Sequence, residues 1–379
     1  MSMAKRGTRA ASLAGALAVS AALVAASPAP IAGATTNAMY NQTNLVSDIP
    51  GVAPVTDPNL VNPWGMSNPP GGPLWVSDNN ANVAALYTGA LGTPPTPLKP
   101  APGPEPLTVT VAGGAPTGQV FNGTSNFVVH NRMISGPSRF IFASENGDIT
   151  GWAPNVPPLA PPPFALSTRA RVGVSVPQAV YKGLAISPDP VNTLLFAANF
   201  HSGKVDVFDK TFDQVNTPSF VDNKIPDGYA PFNVAVFGNN LYVTYAKQNA
   251  KRHDDVKGAG HGFIDVFPVT GGPARRLVSR GVLNSPWGMA MAPAGFGGFS
   301  GDLLVGNFGD GTIHAFDPTT GALVGTMSHP DGTAIAINGL WGLIFGDASF
   351  GSPTTLFFSA GIGDEAHGLL GEFTPVPAV

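Results

Sequence analysis

The sequence predicts an all-β protein built from a repeated unit of short strands, and three observations support this prediction. The chain of 379 residues contains 47 Gly and 39 Pro, so tight turns recur along it. Charged residues make up only 11% of the chain, which excludes a helical bundle or coiled coil rich in Glu and Lys. Short apolar runs that end in an aromatic residue recur at intervals of about 50 to 65 residues, a spacing typical of repeat architectures.

Each repeat contains three recognisable strands. The innermost strand is predicted at PWGMS (63–67), SNFVVH (125–130), KGLAIS (182–187), FNVAVF (232–237), PWGMAM (286–291) and LWGLIF (340–345). The second strand is predicted at LWVSDN (74–79), FIFASEN (140–146), LLFAANF (194–200), LYVTYAK (241–247), LLVGNF (303–308) and LFFSAG (356–361). The third strand ends at Tyr87, Trp152, Phe208, Phe267, Phe316 and Phe373. Three strands repeated six times predict a single six-bladed β-propeller over residues 40–375.

The fourth, outer strand of each blade has a weaker pattern. It is predicted at residues 107–111, 219–222, 276–279 and 323–327. No chain remains after Phe373 to supply an outer strand for the last blade, whereas NLVSD (44–48) resembles the outer strands of other blades. The N-terminal strand is therefore predicted to complete the last four-stranded blade, which would close the ring and remove an open sheet edge.

The first 34 residues have the pattern of a Sec-type secretory signal peptide. Lys5, Arg6 and Arg9 precede an Ala-rich apolar stretch, and cleavage is expected after Ala34. The alternative is an uncleaved membrane anchor, but the stretch is shorter and less apolar than a membrane span requires. The protein is thus expected to be secreted, either extracellular or periplasmic. We expect a monomer with no membrane span after cleavage. The chain has no cysteine, which excludes disulfides and thiolate metal sites.

The charge distribution excludes two classes of partner and leaves one loop open to interpretation. A net charge of −4 gives no basic footprint for nucleic acid, and no later run of Lys and Arg is long enough to predict a membrane-binding patch. Two Pro-rich segments, 93–106 and 154–164, are predicted as surface loops. The charged loop 249–261 is interpreted either as a metal site using His253, Asp254, Asp255 and His261 or, preferably, as a solvated extension of blade four.

Long motifs in the sequence resemble an uncharacterised family of exported bacterial β-propeller proteins. The motifs are NLVSD, NPWGM, LWVSDN, GDITGW, YKGLA, AANF, PFNVAVF, LYVTYA, GHGFIDVF, LNSPWGMAMAP, LLVGNFGDGTIHAFDPTTG and GLWGLIFG. Some members of that family carry a PEP-CTERM sorting tail, which this sequence lacks, so the resemblance implies release rather than sorting. The architecture is more distantly similar to six-bladed NHL-repeat and gluconolactonase-like propellers, several of which are metal-dependent hydrolases.

The mouth of the central channel is the predicted ligand site. In a propeller, the start of the innermost strand and the turn after the second strand lie on one face, around this mouth. Candidate ligand-binding residues there are Trp64, Lys182, Phe232, Lys247, Trp287 and Trp341. The three Trp residues could form an aromatic platform for a sugar or a cation. The preferred alternative is that they pack between the inner strands and set the spacing of the blades.

The same face supplies candidate metal ligands and bases. Oxygen ligands from Asp78, Glu145, Asn199 and Asn307 would suit Ca²⁺, and the gluconolactonase-like resemblance favours such a metal. Alternatively, the Asn residues simply form turns. His201 is the preferred general base, with Asp78 as a second candidate, and His367 also lies near a matching turn.

The sequence leaves three functions open. The preferred one is a secreted binding or scaffold protein that recognises a small molecule or a component of the cell envelope or extracellular space at the channel mouth. The alternative is a Ca²⁺-dependent hydrolase of the lactonase or esterase kind, with the metal in the central channel. The third is interaction with a partner through the Pro-rich loops.

Overall fold

The computed structural model describes residues 38–97, 107–162, 165–217 and 219–377 of the chain. The predicted signal peptide and most of the Pro-rich segment 93–106 lie outside the described residues. In chain order the strands are β1 (Tyr40–Ser47), β2 (Val55–Thr56), β3 (Pro63–Ser67), β4 (Leu74–Asp78), β5 (Val83–Thr88), β6 (Thr96–Pro97), β7 (Thr108–Thr110), β8 (Pro116–Phe121), β9 (Val128–Asn131), β10 (Ile134–Pro137), β11 (Phe140–Ser144), β12 (Asp148–Trp152), β13 (Arg171–Ser175) and β14 (Tyr181–Ile186). They continue with β15 (Leu195–Asn199), β16 (Lys204–Phe208), β17 (Gln214–Val215), β18 (Tyr229–Phe237), β19 (Asn240–Lys247), β20 (Gly262–Pro268), β21 (Arg275–Ser279), β22 (Pro286–Met291), β23 (Leu303–Asn307), β24 (Ile313–Phe316), β25 (Leu323–Thr326), β26 (Leu340–Phe345), β27 (Leu356–Ala360) and β28 (Leu369–Pro375).

These strands form a six-bladed β-propeller, which confirms the predicted fold class. Blade 1 contains β3, β4 and β5 with β6 and β7 both paired to β5, and blade 2 has the order β8-β11-β12-β13. Blades 3, 4 and 5 are β14 to β17, β18 to β21 and β22 to β25, and blade 6 is β26-β27-β28-β1 with β2 at its edge. A 3₁₀ turn spans Gly297–Phe299. The described residues contain no helix long and apolar enough to cross a membrane.

The N-terminal strand closes the ring, as predicted. β1 pairs antiparallel with β28, in a register that runs from Tyr40 opposite Pro375 to Ser47 opposite Leu369. The closing strand is also fastened to blade 5, because the Tyr40 hydroxyl donates to the carbonyl of Phe296 at 3.0 Å. Closure pairs the edge of the last blade, so the first and last segments of the propeller stabilise each other.

Glycines in the inner strands allow neighbouring blades to approach closely around the channel. A Cβ atom on Gly65 would lie 2.5 Å from the carbonyl oxygen of Thr117 in blade 2. A Cβ on Gly342 would lie equally close to the carbonyl oxygen of Trp64. The PWG and LWG motifs therefore place an aromatic residue and a close backbone contact at the same level in the ring.

Two strand predictions were wrong. The innermost strand of blade 2 is β8 (Pro116–Phe121), and residues 125–130 instead lead into the inserted hairpin β9–β10. PTGQVF lacks the residue pattern of a strand because it contains Pro, Gly and Gln. Gly118 is nevertheless required, because a Cβ atom at this position would clash with the backbone of Leu184. The outer strand of blade 3 is the short β17, whereas residues 219–222 form no strand. Phe220 in that segment is instead buried against Phe267, edge to face.

Candidate functional site

The innermost layer of the channel mouth is a cluster of aromatic side chains. Its members are Trp64, Phe200, Ala230, Phe232, Ala246, Trp287, Phe308 and Trp341, and all are buried. The Trp341 ring stacks on Trp64 with centroids 3.5 Å apart and on Phe308 at 3.8 Å. Because these rings contact one another, the structure favours the packing interpretation of Trp64, Phe232, Trp287 and Trp341 over an open platform.

Two of the three indole N–H groups of this aromatic cluster tie blades together across the ring, whereas Nε1 of Trp64 has no hydrogen-bond partner within the described residues. Trp287 donates from Nε1 to the carbonyl of Lys182 at 3.0 Å, and Trp341 donates to the Asn62 side chain at 3.1 Å. The inner strands surround a channel cavity of about 220 Å³, whose lining includes Met66, Met289 and Leu343. The cluster therefore forms a fixed aromatic layer at the mouth end of the channel.

A buried lysine lies on this aromatic layer. The side chain of Lys182 is only 3% exposed, and its ammonium is 5.2 Å from the Trp64 ring centroid. It forms a short ion pair with Glu145 and lies 3.7 Å from the Asp254 carboxylate. The second oxygen of Glu145 accepts a hydrogen bond from Asn79 at 3.2 Å. A buried ammonium is tolerated only when paired, so these contacts hold Lys182 and Glu145 in place.

The charged loop 249–261 connects β19 to β20, both in blade 4, and Lys251, Arg252 and Asp254 are exposed, which is compatible with the predicted solvated extension. The loop also lies against the channel mouth. The Asn249 side-chain oxygen accepts the backbone N–H groups of Lys251 and His253, at 3.0 and 3.2 Å. Further along, the N–H of Gly258 donates to Asn284 in blade 5 at 2.6 Å. The loop thus has defined anchors in blades 4 and 5, because local Asx-type hydrogen bonds fix its conformation.

This loop and its neighbours enclose a pocket of about 600 Å³, which we call the mouth pocket. Its lining residues are Glu145, Asn146, Gln178, Ala179, Val180, His201, Lys251, His253 and Asp254. They come from blade 2, from blade 3 and from the loop of blade 4. Burial tends to raise the pKa of Asp254, but the hydrogen bond from His253 and the charge of Lys182 lower it below its usual value. The mouth pocket therefore presents charges of both signs.

Only part of the predicted metal set lies in the mouth pocket. Asn199 donates to Asp206 at 2.8 Å and accepts the N–H of Ser202, and Asn307 accepts the N–H of Asn284 and donates to the carbonyl of Val282. These bonds match the turn-forming alternative. A different group of donor atoms, from Glu145, His253 and Asp254, lies within 4.8 Å of one another.

Asp78 is fully buried and is absent from the lining of the mouth pocket. Within the described part of the chain, neither of its carboxylate oxygens has a hydrogen-bond partner. Burial and the nearby charge of Asp57 raise its pKa well above the usual value. Asp57 in turn accepts from the Tyr87 hydroxyl at 2.9 Å. This environment favours a neutral, structural carboxyl group.

Two other predicted residues lie outside the mouth pocket, and one neighbour of the mouth was missed. His367 pairs with Asp48 at 2.7 Å, and Lys247 accepts a backbone hydrogen bond from Val256. Glu365 accepts from Asn62 at 3.0 Å, and burial raises its pKa. The charges of Lys182 and Glu145 both act on it. The only sequence signal for Glu365 was its place beside His367 in GDEAHG.

The comparisons with known proteins identify relatives and a similar fold. No family model matches the chain. Uncharacterized protein R648 of Acanthamoeba polyphaga mimivirus is 33% identical over 341 residues, which cover 86% of this chain and 78% of the relative. Uncharacterized protein L690 of the same virus is 33% identical over 349 residues, covering 88% of this chain and 85% of the relative. The chain belongs to the family of these proteins.

Among solved structures, virginiamycin B lyase from Staphylococcus aureus is similar with a TM-score of 0.52 and 13% identity. The match covers 89% of this chain and 99% of that one, and at this identity it shows the propeller fold alone. The expectation of a propeller family is thereby confirmed. The relatives reported above are viral, whereas the sequence motifs had suggested a bacterial family.

Proposed function

We propose that this member of the family is a secreted binding protein that holds a small zwitterionic molecule, such as an amino acid or short peptide, in the mouth pocket. The observation that carries the proposal is a pocket of ligand size lined by acidic and basic side chains from three blades. Secretion rests on the N-terminal signal pattern of residues 1–34.

The charged side chains of the mouth pocket determine the orientation in which such a ligand binds. Lys251 is exposed and can receive a ligand carboxylate, together with the imidazole of His201. Asp254, with its lowered pKa, can receive a ligand ammonium. Glu145 is already paired with Lys182, so its role is to fix the pocket wall.

The rigid surroundings of the mouth pocket favour recognition of one ligand geometry. The aromatic cluster supports Lys182 from below, and the hydrogen bonds of Asn249 fix the loop that carries Lys251, His253 and Asp254. A preformed pocket avoids the entropic cost of ordering side chains when the ligand binds.

Isothermal titration tests the proposal with free amino acids and dipeptides as probes. Removing one charged contact is expected to weaken binding by about ten-fold, so Lys251→Gln and His201→Gln should each have this effect. His329→Gln, a change outside the pocket lining, is the matched control and should bind like the wild type. Failure of every probe to bind, or wild-type affinity in both pocket variants, would contradict the proposal.

The second candidate is a metal-dependent hydrolase, which the cluster of Glu145, His253 and Asp254 supports. One imidazole and two carboxylates suit a transition metal better than Ca²⁺, which prefers oxygen ligands. A metal there would have to displace the Lys182 ammonium from the two carboxylates. Calcium bound by Asp78, Glu145, Asn199 and Asn307 stays a prediction.

Thermal melts with EDTA, Ca²⁺ or Zn²⁺ distinguish these metal sites, because a ligand of the folded state raises Tm by mass action. A Zn²⁺ shift lost in His253→Gln supports the cluster of three donors. A Ca²⁺ shift lost in Asn307→Ala supports the set predicted from the sequence. No shift with either ion would remove the hydrolase candidate as formulated.

A further inference from the structure

The hairpin β9–β10 of blade 2 carries apolar side chains into solvent. Met133, at its tip, is 98% exposed, and Ile134 and Val128 on its two strands are 45% and 40% exposed. Leu159 and Val172 of the same blade are similarly exposed. Blade 2 thus holds five of the eleven large apolar side chains that are exposed in the described residues. Such a concentration is unusual, since isolated exposed apolar residues are normally scattered.

Hydrogen bonds join the elements that carry these side chains. Asn131 of the hairpin donates to the carbonyl of Pro157 at 3.0 Å, and Asn155 donates back to Ser135 of the hairpin at 3.3 Å. The guanidinium of Arg171 in β13 also binds the carbonyl of Pro157. The hairpin, the Pro-rich loop and β13 therefore form one continuous surface, which we call the blade 2 edge.

The charge of the blade 2 edge is basic. Arg132 lies beside Met133 at the hairpin tip, His130 precedes it, and Arg169 lies just before β13; all three are exposed. No Asp or Glu occurs in residues 120–144 or 149–175. The acidic residues near this surface lie on other segments. Asp148 accepts a hydrogen bond from the Ser175 hydroxyl. Asp209 and Asp213 lie on either side of Lys210 in the chain, and the carbonyl of Lys210 accepts the N–H of Phe127 at the hairpin base. The protein as a whole carries a net charge of −4, so this basic surface is a local feature.

We propose that the blade 2 edge docks the protein on a bilayer that contains anionic phospholipids. The apolar groups stand on a protruding tip, and a tip offers little of the flat area of about 800 Å² that a stable protein partner covers. A bilayer needs no such area, because apolar side chains can insert at the boundary of headgroups and acyl chains while Arg side chains contact lipid phosphates. Charge complementarity selects the anionic lipid.

This surface could not be predicted from the sequence, because its basic residues are far apart in the chain. Arg132 and Arg169 are separated by 37 positions, and the segments that carry them are joined by hydrogen bonds of Asn131 and Arg171 to the Pro-rich loop. The absence of a run of Lys and Arg therefore says nothing about a patch that the fold assembles. Apolar insertion and basic attraction add to each other, because the strength of binding at a bilayer surface depends on both the buried apolar area and the attraction to anionic lipids.

Co-sedimentation of the full chain with vesicles tests the proposal. Vesicles of phosphatidylcholine mixed with phosphatidylglycerol should bind the protein, and pure phosphatidylcholine should bind it far less. Met133→Asp should weaken binding to the anionic vesicles by about ten-fold, given the free energy of burying one apolar side chain. Arg132→Glu should weaken it by a similar factor at low salt and by less at high salt, since salt screens the attraction between a basic residue and anionic headgroups.

Matched variants separate the hairpin from other contributions of the full chain. Leu323→Asp alters an exposed apolar residue on the outer strand of blade 5, and Lys224→Glu reverses an exposed charge away from blade 2. Both should bind vesicles like the wild type. The proposal is overturned if neither vesicle binds, if the two vesicles bind equally, or if Met133→Asp behaves like Leu323→Asp. Binding of polyglutamate that depends on Arg132 but not on Met133 would instead indicate an acidic protein partner.

A fluorescence measurement places the hairpin tip directly. All five native Trp residues are buried in the propeller. In a Met133→Trp variant, emission should shift to the blue and be quenched by brominated lipids when anionic vesicles are added. Unchanged emission from a vesicle-bound variant would overturn the proposal, because it would mean that another part of the chain contacts the membrane.

Discussion

The channel mouth has two layers of opposite chemistry, the aromatic cluster and the mouth pocket above it. The aromatic cluster is built from residues that recur from blade to blade, such as Trp64, Trp287 and Trp341 in the PWG and LWG motifs. The mouth pocket is built from residues that occur once, such as Glu145 and those of the loop that carries His253. In this propeller the repeated residues build the ring, and departures from the repeat build the candidate site.

Equivalent positions in two blades show the same contrast. Phe308 follows the second strand of blade 5 and packs in the aromatic cluster, where its ring stacks on Trp341. Glu145 follows the second strand of blade 2 and instead faces the mouth pocket, where it pairs with Lys182. A shared place in the repeat therefore does not imply a shared role.

The largest expected effect concerns the aromatic layer. Trp341→Ala removes a buried ring that stacks on both Trp64 and Phe308, and should lower the free energy of unfolding by about 3–5 kcal/mol. Guanidinium unfolding measures this change. A loss below about 1 kcal/mol would contradict a packing role and revive the open aromatic platform, since surface substitutions have effects of that size.

An intermediate effect is expected where a repeated Asn closes a turn. Asn307→Ala leaves buried N–H and C=O groups without their side-chain partners, which should cost about 2 kcal/mol of stability. The exposed Asn192→Ala is the matched control and should change stability by less than about 0.5 kcal/mol. Equal losses of stability in the two variants would contradict the distinction between turn-forming and surface Asn residues.

The smallest effect, and one of opposite sign, is expected at Asp78. Its pKa is raised in the folded protein, so the folded state loses stability relative to the unfolded state as the pH rises above the usual value of 3.8. Asp78→Asn keeps the shape without the charge and should therefore stabilise the protein by about 1 kcal/mol at neutral pH.

Thermal melts of Asp78→Asn and the wild type across pH provide the measurement. The difference between the two proteins should grow from acidic to neutral pH. Ligand binding should stay unchanged, because Asp78 is absent from the lining of the mouth pocket. A loss of ligand binding or turnover in this variant would contradict the structural role and restore Asp78 as a candidate base.

The sequence predicted the ring well because its signals are local and repeated. PWGMAM of blade 5 recurs as PWGMS in blade 1, which is enough to define an inner strand. NLVSD resembles the outer strands of other blades closely enough to predict its closure with β28. PTGQVF was missed because its strand character comes from neighbouring blades, which demand Gly118, rather than from its own propensity.

The candidate site was predicted only in part. The order of strands alone grouped Glu145, Lys182 and His201 on one face, and the structure brings Glu145 and His201 into one pocket with Lys182 paired to Glu145. The fold of loop 249–261 depends on the Asx hydrogen bonds of Asn249 and on a contact with Asn284 in the next blade. Such long-range contacts leave no periodic signal in the sequence, so the meeting of Asp254 with Lys182 could not be foreseen.

The central claim is that the mouth pocket is the ligand site, and histidine NMR signals test it most directly. The chain has only seven His residues, of which His201 and His253 line the pocket. Titration with an amino acid or dipeptide that binds should shift the ring signals of these two residues and leave those of His130 and His329 unchanged. Binding that shifts other His signals while His201 and His253 stay fixed would contradict the claim.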